Sequence, residues 1–258
     1  MELEDLYEDI VSKASKGLKN PRLEDYQNCG DEQSIREIAL KLYLDPDKLV
    51  ASANGEWYPQ RRQLQGLNSF ESPFGEMSVN SYLTIDPSSR KALLFDTGTD
   101  SHSVFSYVDK ENLEVESIFI THTHGDHVAC LDQFVSRFQV PVYVHESEVF
   151  DGATPIREGF EHSIGGLSLK ALHTHGHSVG GMTFLIKGLE RMVAVTGDAI
   201  FAGSMGGGMV SYEDALRNNR EKIMTLPDDT VLCPGHGPMT TVGEEKAHNP
   251  FFPEFQEG

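Results

Sequence analysis

The chain has 258 residues, 38% of them hydrophobic, enough to bury a substantial core in one large domain or in one domain with an appendage. Lysine and arginine total 21 against 40 acidic residues, a formal charge of −19. Such a field repels polyanions at long range, which argues against nucleic acid and anionic lipid as partners and against a nuclease.

The segments are read in chain order. The opening MELEDLYEDI is acidic where a secretory signal needs a basic start, and no run of about 18 apolar residues follows anywhere. A cytoplasmic protein with no membrane span is expected. Cys29, Cys130 and Cys233 are odd in number and share no metal-type spacing, which fits reduced thiols in that compartment. Leu3, Leu6, Tyr7, Ile10, Val11 and Ala14 repeat at helical spacing, and Ser34 with Glu37 forms a capping-box pattern ahead of Ile35, Ile38, Ala39 and Leu42. Asp45 and Pro46 cap and start a further short helix, DPDKLVAS, before the turn-rich stretch ANGEWYPQRRQLQG. The expected division is an N-terminal helical segment at 1–62 and a second domain at 63–258.

Beyond that boundary the pattern changes to short β-type runs at 78–85, 91–98, 115–122 and 140–145, later joined by LSLKALHTHGH, MTFLI, RMVAVTGD and TVLCPGHG. Val128, Leu131, Val135 and Phe138 share one side of a predicted helix between the third and fourth runs, so strands and helices alternate in an α/β arrangement. Ser211 to Asp214 starts one more helix, reaching about Leu226.

The stretch Thr121–His127, THTHGDH, packs three imidazoles and a carboxylate behind an apolar run. His122 and His124 are two residues apart, so on an extended strand exit both rings point the same way, and Asp126 and His127 follow across Gly125. Three further segments end an apolar run with a potential ligand: His177 in HTHGHS, Asp198 in VTGD and His236 in PGHGP. Together these supply five histidines and two aspartates from four strand ends, all nitrogen and oxygen donors without a thiolate. That set suits Zn²⁺, Fe²⁺ or Mn²⁺ in a catalytic site better than a closed structural zinc site.

Here the chain resembles the metallo-β-lactamase superfamily, whose signature is HxHxDH followed by a downstream His, an Asp and a final His, and all seven positions occur in order. The resemblance implies an αββα four-layer sandwich and two divalent metal ions, zinc first, with iron or manganese as alternatives. It implies one ion at His122, His124 and His177, a second at Asp126, His127 and His236, and Asp198 bridging them. Asp126 is also expected to orient the nucleophile, and Asp96 in FDTG to orient a ligand histidine from behind. His175 falls where many members carry proline and is expected, with Tyr212, to line the site. Gly206 to Gly208 reads as a mobile substrate loop. Within the superfamily, TGDAIFAGS and the segment at 226–252 look like the short glyoxalase II (hydroxyacylglutathione hydrolase) members, which implies hydrolysis of a small thioester or ester. A mononuclear iron persulfide dioxygenase, using His122, His177 and Asp198, and a lactone hydrolase are the alternatives. Two departures bear on substrate: Met205 to Gly208 stand where those enzymes commonly carry an Arg and an Asp, and the chain stops shortly after Phe252 without the helical domain of the long members. An anionic glutathione conjugate would need local cations, for which Arg61, Arg62 and Arg217 are candidates. The helices at 1–62 are expected to cover the site, to make a homo-oligomer contact, or to aid solubility.

Overall fold

Residues alternate between buried and exposed along strands such as Leu167–His173, whereas Met182–Ile186 and Val193–Gly197 are buried throughout, so both faces of a sheet must be covered. The computed structural model describes residues 31–60 and 62–255. The helical repeat at 3–14, Cys29 and Arg61 lie outside the described residues. The helices are α1 (Glu32–Lys41), α2 (Pro46–Ala53), α3 (His102–Glu111), α4 (Gly125–Val128), α5 (Leu131–Phe138), α6 (Tyr212–Asn218) and α7 (Val242–His248). One six-stranded sheet holds, side by side in chain order, β1 (Leu67–Phe74), β2 (Met77–Ile85), β3 (Lys91–Phe95), β4 (Glu114–Phe119), β5 (Val142–His145) and β6 (Ala153–Ile156). The other holds β7 (Glu161–Ile164), β8 (Leu167–His173), β9 (Met182–Lys187), β10 (Val193–Gly197), β11 (Val231–Pro234) and β12 (Thr240–Thr241).

The sheets stack face to face. Tyr82, Leu93, Phe95 and Phe119 of the first sheet meet Ala171, Phe184, Ile186 and Val195 of the second, with Phe119 and Phe184 ring centres 5.2 Å apart. Alternate residues point the other way: Leu83, Leu94 and Ile118 pack under α3 and α5, while Leu185, Ala194 and Leu232 pack under the layer containing α7. Each buried Phe or Leu contributes roughly 1.5–3 kcal/mol, so these three clusters hold the layers. The expected αββα sandwich with a helical N-terminal extension is thus the observed fold.

The expected strands appear with trimmed ends, and β1, β6, β7 and β12 are additional. α1 begins earlier than the Ser34 pattern suggested, because the Asp31 carboxylate accepts from Ser34 N at 2.9 Å and Ser34 falls inside the first turn. Ser211 does cap α6, accepting from Asp214 N at 3.1 Å, and a π-helical turn at Asn219–Ile223 continues it. Asp45 caps α2 as read.

The pair α1–α2 forms its own small core around Ile38, Ala39 and Leu49, with Phe251 packed against it. Its anchor is Lys48, whose buried ammonium donates to the carbonyls of Lys246, Phe252 and Phe255. Replacing Lys48 with Met keeps the aliphatic stem and leaves buried carbonyls unpaired. Lys48→Met is expected to lower the unfolding free energy by roughly 2–4 kcal/mol and to speed amide exchange over residues 31–53, read by denaturant titration and hydrogen exchange.

Glu245 of α7 is buried and accepts from Thr240 Oγ1, Asn249 Nδ2 and Gly203 N at 2.7, 2.7 and 2.9 Å. Burial outweighs those donors and pushes its carboxyl up to about 7. A carboxyl raised in the folded state contributes stability that is full below its unfolded value and is lost as pH climbs through the folded one. Folding should therefore lose roughly 3 kcal/mol from this group between about pH 4.5 and pH 7. Glu245→Gln removes that slope, so the stability difference between variant and parent should shift in the variant's favour by this amount from pH 5 to pH 8.

Candidate metal centre

Every one of the seven expected ligands stands at the end of a strand or in the loop after it, and the two sheets bring those ends to one edge. β4 leads into His122, and α4 starts just after His124, which keeps an extended backbone at the helix entrance while Asp126 and His127 turn inward. His177 follows β8, Asp198 follows β10 and His236 follows β11. Three groups of side chains hold donor atoms within 4.8 Å of one another: His122, His124 and His177; His122, His127 and Asp198; Asp126, His127 and His236.

The spacing is that of ligands sharing an ion. A tetrahedral site with metal–nitrogen bonds of 2.0–2.1 Å puts neighbouring donors about 3.3 Å apart. His124 Nδ1 lies 3.0 Å from His122 Nε2 and 2.9 Å from His177 Nε2. His236 Nε2 lies 3.2 Å from Asp126 Oδ2 and 3.3 Å from Asp198 Oδ2, and His177 Nε2 lies 3.4 Å from the same Asp198 oxygen. Asp198 Oδ1 faces His127 Nε2 at 3.3 Å. Both of those atoms are buried without a hydrogen-bond partner, which is costly for a polar atom unless something else is bound there. A Cβ at Gly235 would lie 2.1 Å from Asp198 Oδ1, so glycine keeps this cradle open. The residues therefore fit divalent ions.

Outer contacts fix which ring nitrogen faces inward. His127 Nδ1 donates to Asp96 Oδ2 at 2.9 Å, His177 Nδ1 to Gly207 O at 2.9 Å, and His236 Nδ1 to Ser78 O at 2.6 Å. Asp96 also accepts from Thr121 N and Oγ1 at 2.8 and 2.7 Å, and holds a left-handed backbone, φ 52°, to do so. Burial, then the facing His127, holds His122 well below its ordinary value, and burial with His177 lowers His124, so both rings offer lone pairs. Burial opposes ionisation of Asp198, yet His127 holds it well below the usual carboxylate range. Burial likewise works against protonating His236, but hydrogen bonds to Asp126 and Asp198 push it up to about 10. The carboxylates thus call for positive charge here, which a divalent ion supplies with the imidazoles neutral.

The structure also brings in residues that no sequence pattern pointed to. Glu148 accepts from Thr123 N at 2.7 Å, between His122 and His124, and with its other oxygen from Gly180 N at 2.8 Å, in the loop after His177. One carboxylate so ties two ligand loops together. Ser78 and Gly207 act through backbone carbonyls, which leave no trace in side-chain identity. Gly206 to Gly208 is closely packed: a Cβ at Gly206 would lie 1.7 Å from Asp198 O. His175 turns to Asn218 and to Asp214, 3.7 Å away, outside the three donor groups, while Tyr212 stands half-exposed at the start of α6 against Gly208. His145 stacks on His173, ring centres 4.0 Å apart. Cys130 and Cys233 are buried free thiols. Among the described residues no helix is long and apolar enough to cross a membrane.

The chain matches the Metallo-beta-lactamase superfamily over residues 74–236, more than half its length, and belongs to that superfamily. It is similar to YqgX of Bacillus subtilis (strain 168), named a probable metallo-hydrolase, at 32% identity over 209 residues, covering 71% of this chain and 96% of the relative. GloC of Haemophilus influenzae, named a hydroxyacylglutathione hydrolase, is 29% identical over 187 residues, covering 63% of this chain and 87% of the relative. Among solved structures, TTHA1623 in a di-iron-bound form is similar at a TM-score of 0.57 and 26% identity, covering 70% of this chain and 99% of that one. The protein is thus a metal-dependent hydrolase of this fold, and the fold implies divalent metal ions.

Asp96→Asn leaves His127 Nδ1 without its acceptor. Metal affinity is expected to fall about 10–100-fold, measured by competition with a chromophoric chelator.

Proposed function

We propose that the protein hydrolyses small acyl thioesters, hydroxyacylglutathione among them, at a centre of two divalent ions, zinc first. One ion is assigned to His122, His124 and His177, the other to Asp126, His127 and His236, with Asp198 between them. The observation that carries this reading is the shared Asp198 carboxylate, one oxygen of which lies 3.4 Å from His177 and 3.3 Å from His236 while the other faces His127 at 3.3 Å. Asp126 and His127 would be superfluous to a one-metal centre of His122, His177 and Asp198. GloC's name supports the thioester, and the di-iron form of TTHA1623 supports two metals and keeps iron beside zinc.

When bound, such ions would lower the pKa of water to about 7 and polarise a carbonyl. The chain's own residues do the rest. Asp126, held below its ordinary value by His236 and His127 against the effect of burial, is ionised at neutral pH and accepts a hydrogen bond from the attacking water, orienting it. Asp96, through His127, and the Gly207 and Ser78 carbonyls, through His177 and His236, hold the rings in place. The water oxygen bonds to the acyl carbon, the C–S bond breaks, and carboxylic acid and thiol leave. The helical segment at 1–62 is read as an accessory to the catalytic domain at 63–258.

Purified protein should carry two divalent ions per chain by elemental analysis and lose thioesterase activity on chelation. Asp126→Ala should lower kcat about 10²–10⁴-fold, and His124→Ala should reduce metal content. A single iron per chain with oxygen uptake on a persulfide would replace this reading with the dioxygenase.

A further inference from the structure

A groove of about 750 Å³ is lined by Gly237 and Pro238, which follow His236 in the chain, by residues of β1, and by the stretch of residues at 58–60 and 62–65. That stretch precedes the residues matched to the superfamily, 74–236, so one wall of the groove belongs to this chain's own N-terminal part. The wall is fixed in place. Gln60 N donates to Glu244 Oε1 at 3.3 Å, Leu67 N donates back to Leu64 O at 3.0 Å, and Trp57 stacks on His248 at 4.7 Å.

Four of the residues that line it, Gln60, Gln63, Gln65 and Asn68, carry side-chain amides able both to donate and to accept. Asn80 lines it too, but its amide is used by the carbonyls of Pro234 and Gly237 at 3.0 and 2.8 Å. Its charges leave a carboxylate in excess: Arg62 Nη2 lies 2.8 Å from Glu244 Oε2, and Glu71 adds a further carboxylate to the lining. Arg217, the other described cation proposed to meet an anionic substrate, pairs with Asp214. A chain of net charge −19 with paired arginines here is poorly arranged to hold a tripeptide thiol bearing two carboxylates and one ammonium. An uncharged chain with amide groups meets complementary donors and acceptors instead.

We infer that this groove binds the thiol-side arm of the substrate, and that the arm is uncharged and amide-bearing, as pantetheine is. The inference rests on the thioester reading and narrows its thiol from the glutathione conjugate to an uncharged, amide-bearing arm. The acyl carbon lies at the metal centre beside His236, and the arm extends from Gly237 toward Gln63.

The test uses metal-loaded full-length protein and acetyl thioesters of N-acetylcysteamine, pantetheine and glutathione. The pantetheine ester should exceed the N-acetylcysteamine ester in kcat/KM by about tenfold, through KM, as one or two additional amide hydrogen bonds would give. The glutathione ester should show no such gain. Gln60→Leu with Gln63→Leu should bring the pantetheine advantage close to one. Where that variant fails to fold, calorimetry of the parent protein decides: pantetheine should bind and glutathione should bind at least tenfold more weakly. A preference for the glutathione ester, equal rates for all three arms, or an advantage that survives the double substitution overturns the inference. If no thioester is cleaved, the thioester reading falls on its own. Pantetheine binding by calorimetry then still supports or refutes the groove.

Discussion

The buried Asp198 carboxylate is the constraint on which the rest of the site depends. At 7% exposure it has little water to stabilise its charge, and a desolvated anion must be met by positive charge or by donors. The chain meets it with imidazoles from three other strand ends, and two of them, His127 and His236, are drawn toward protonation as a result. Divalent metal ions, which the fold implies, would satisfy the same demand with neutral rings. The glycine at 235 follows from this, since a side chain there would strike the Asp198 carboxylate.

The same contacts also connect the two sheets. Ser78 of β2 orients His236, which follows β11, and Asn80 of β2 donates to Pro234 and Gly237 around it. Within the first sheet, Asp96 after β3 holds both Thr121 and His127, and Thr97 N donates to the His127 carbonyl at 2.8 Å. Glu148, just beyond β5, reaches the loop after β8. Ligand placement is therefore coupled to the stacking of the sandwich, and a displacement of one sheet against the other by a fraction of an ångström would separate the donors.

How much of this was legible in the sequence depends on the kind of contact. The convergence of the seven expected donors could be anticipated, because each follows an apolar run and imidazoles and carboxylates need a reason to be there. Asp96, closing an apolar strand before Gly98, does meet one of those histidines, His127. Glu148 was not, because its partners are the backbone amide of Thr123 and that of Gly180, 32 residues away, and no local pattern encodes that pairing. The glycine run suggested mobility, yet what calls for glycine at 206 is the Asp198 carbonyl, a contact visible only once the chain is folded. Strands such as β1, LNSFESPF, and β12, two residues long, lack a run of apolar residues, and their existence depends on neighbours already in place. His175 differs from His177 for a reason no spacing encodes: its ring lies beside His173, centres 4.5 Å apart, with Nδ1 3.2 Å from Asn218 Nδ2, and the chain bends only after it, at Gly176, φ 135°.

The N-terminal helices give the final step. They do not stand apart from the catalytic domain, because Lys48 ends in the carbonyls of the C-terminal segment and Asp45 N donates to Pro250 O at 2.8 Å. Anchored there, α2 fixes the start of the stretch that passes Trp57 and crosses to β1, and that stretch walls the groove beside His236. The donors themselves are largely buried, so groups that could meet the rest of a bound molecule have to come from outside the donor set, and the residues at 58–60 and 62–65 are placed to supply some of them. The appendage is then coupled to the chemistry by position: it contributes no donor to the three metal-capable groups, yet it shapes one wall of the path by which a substrate arm would leave the centre.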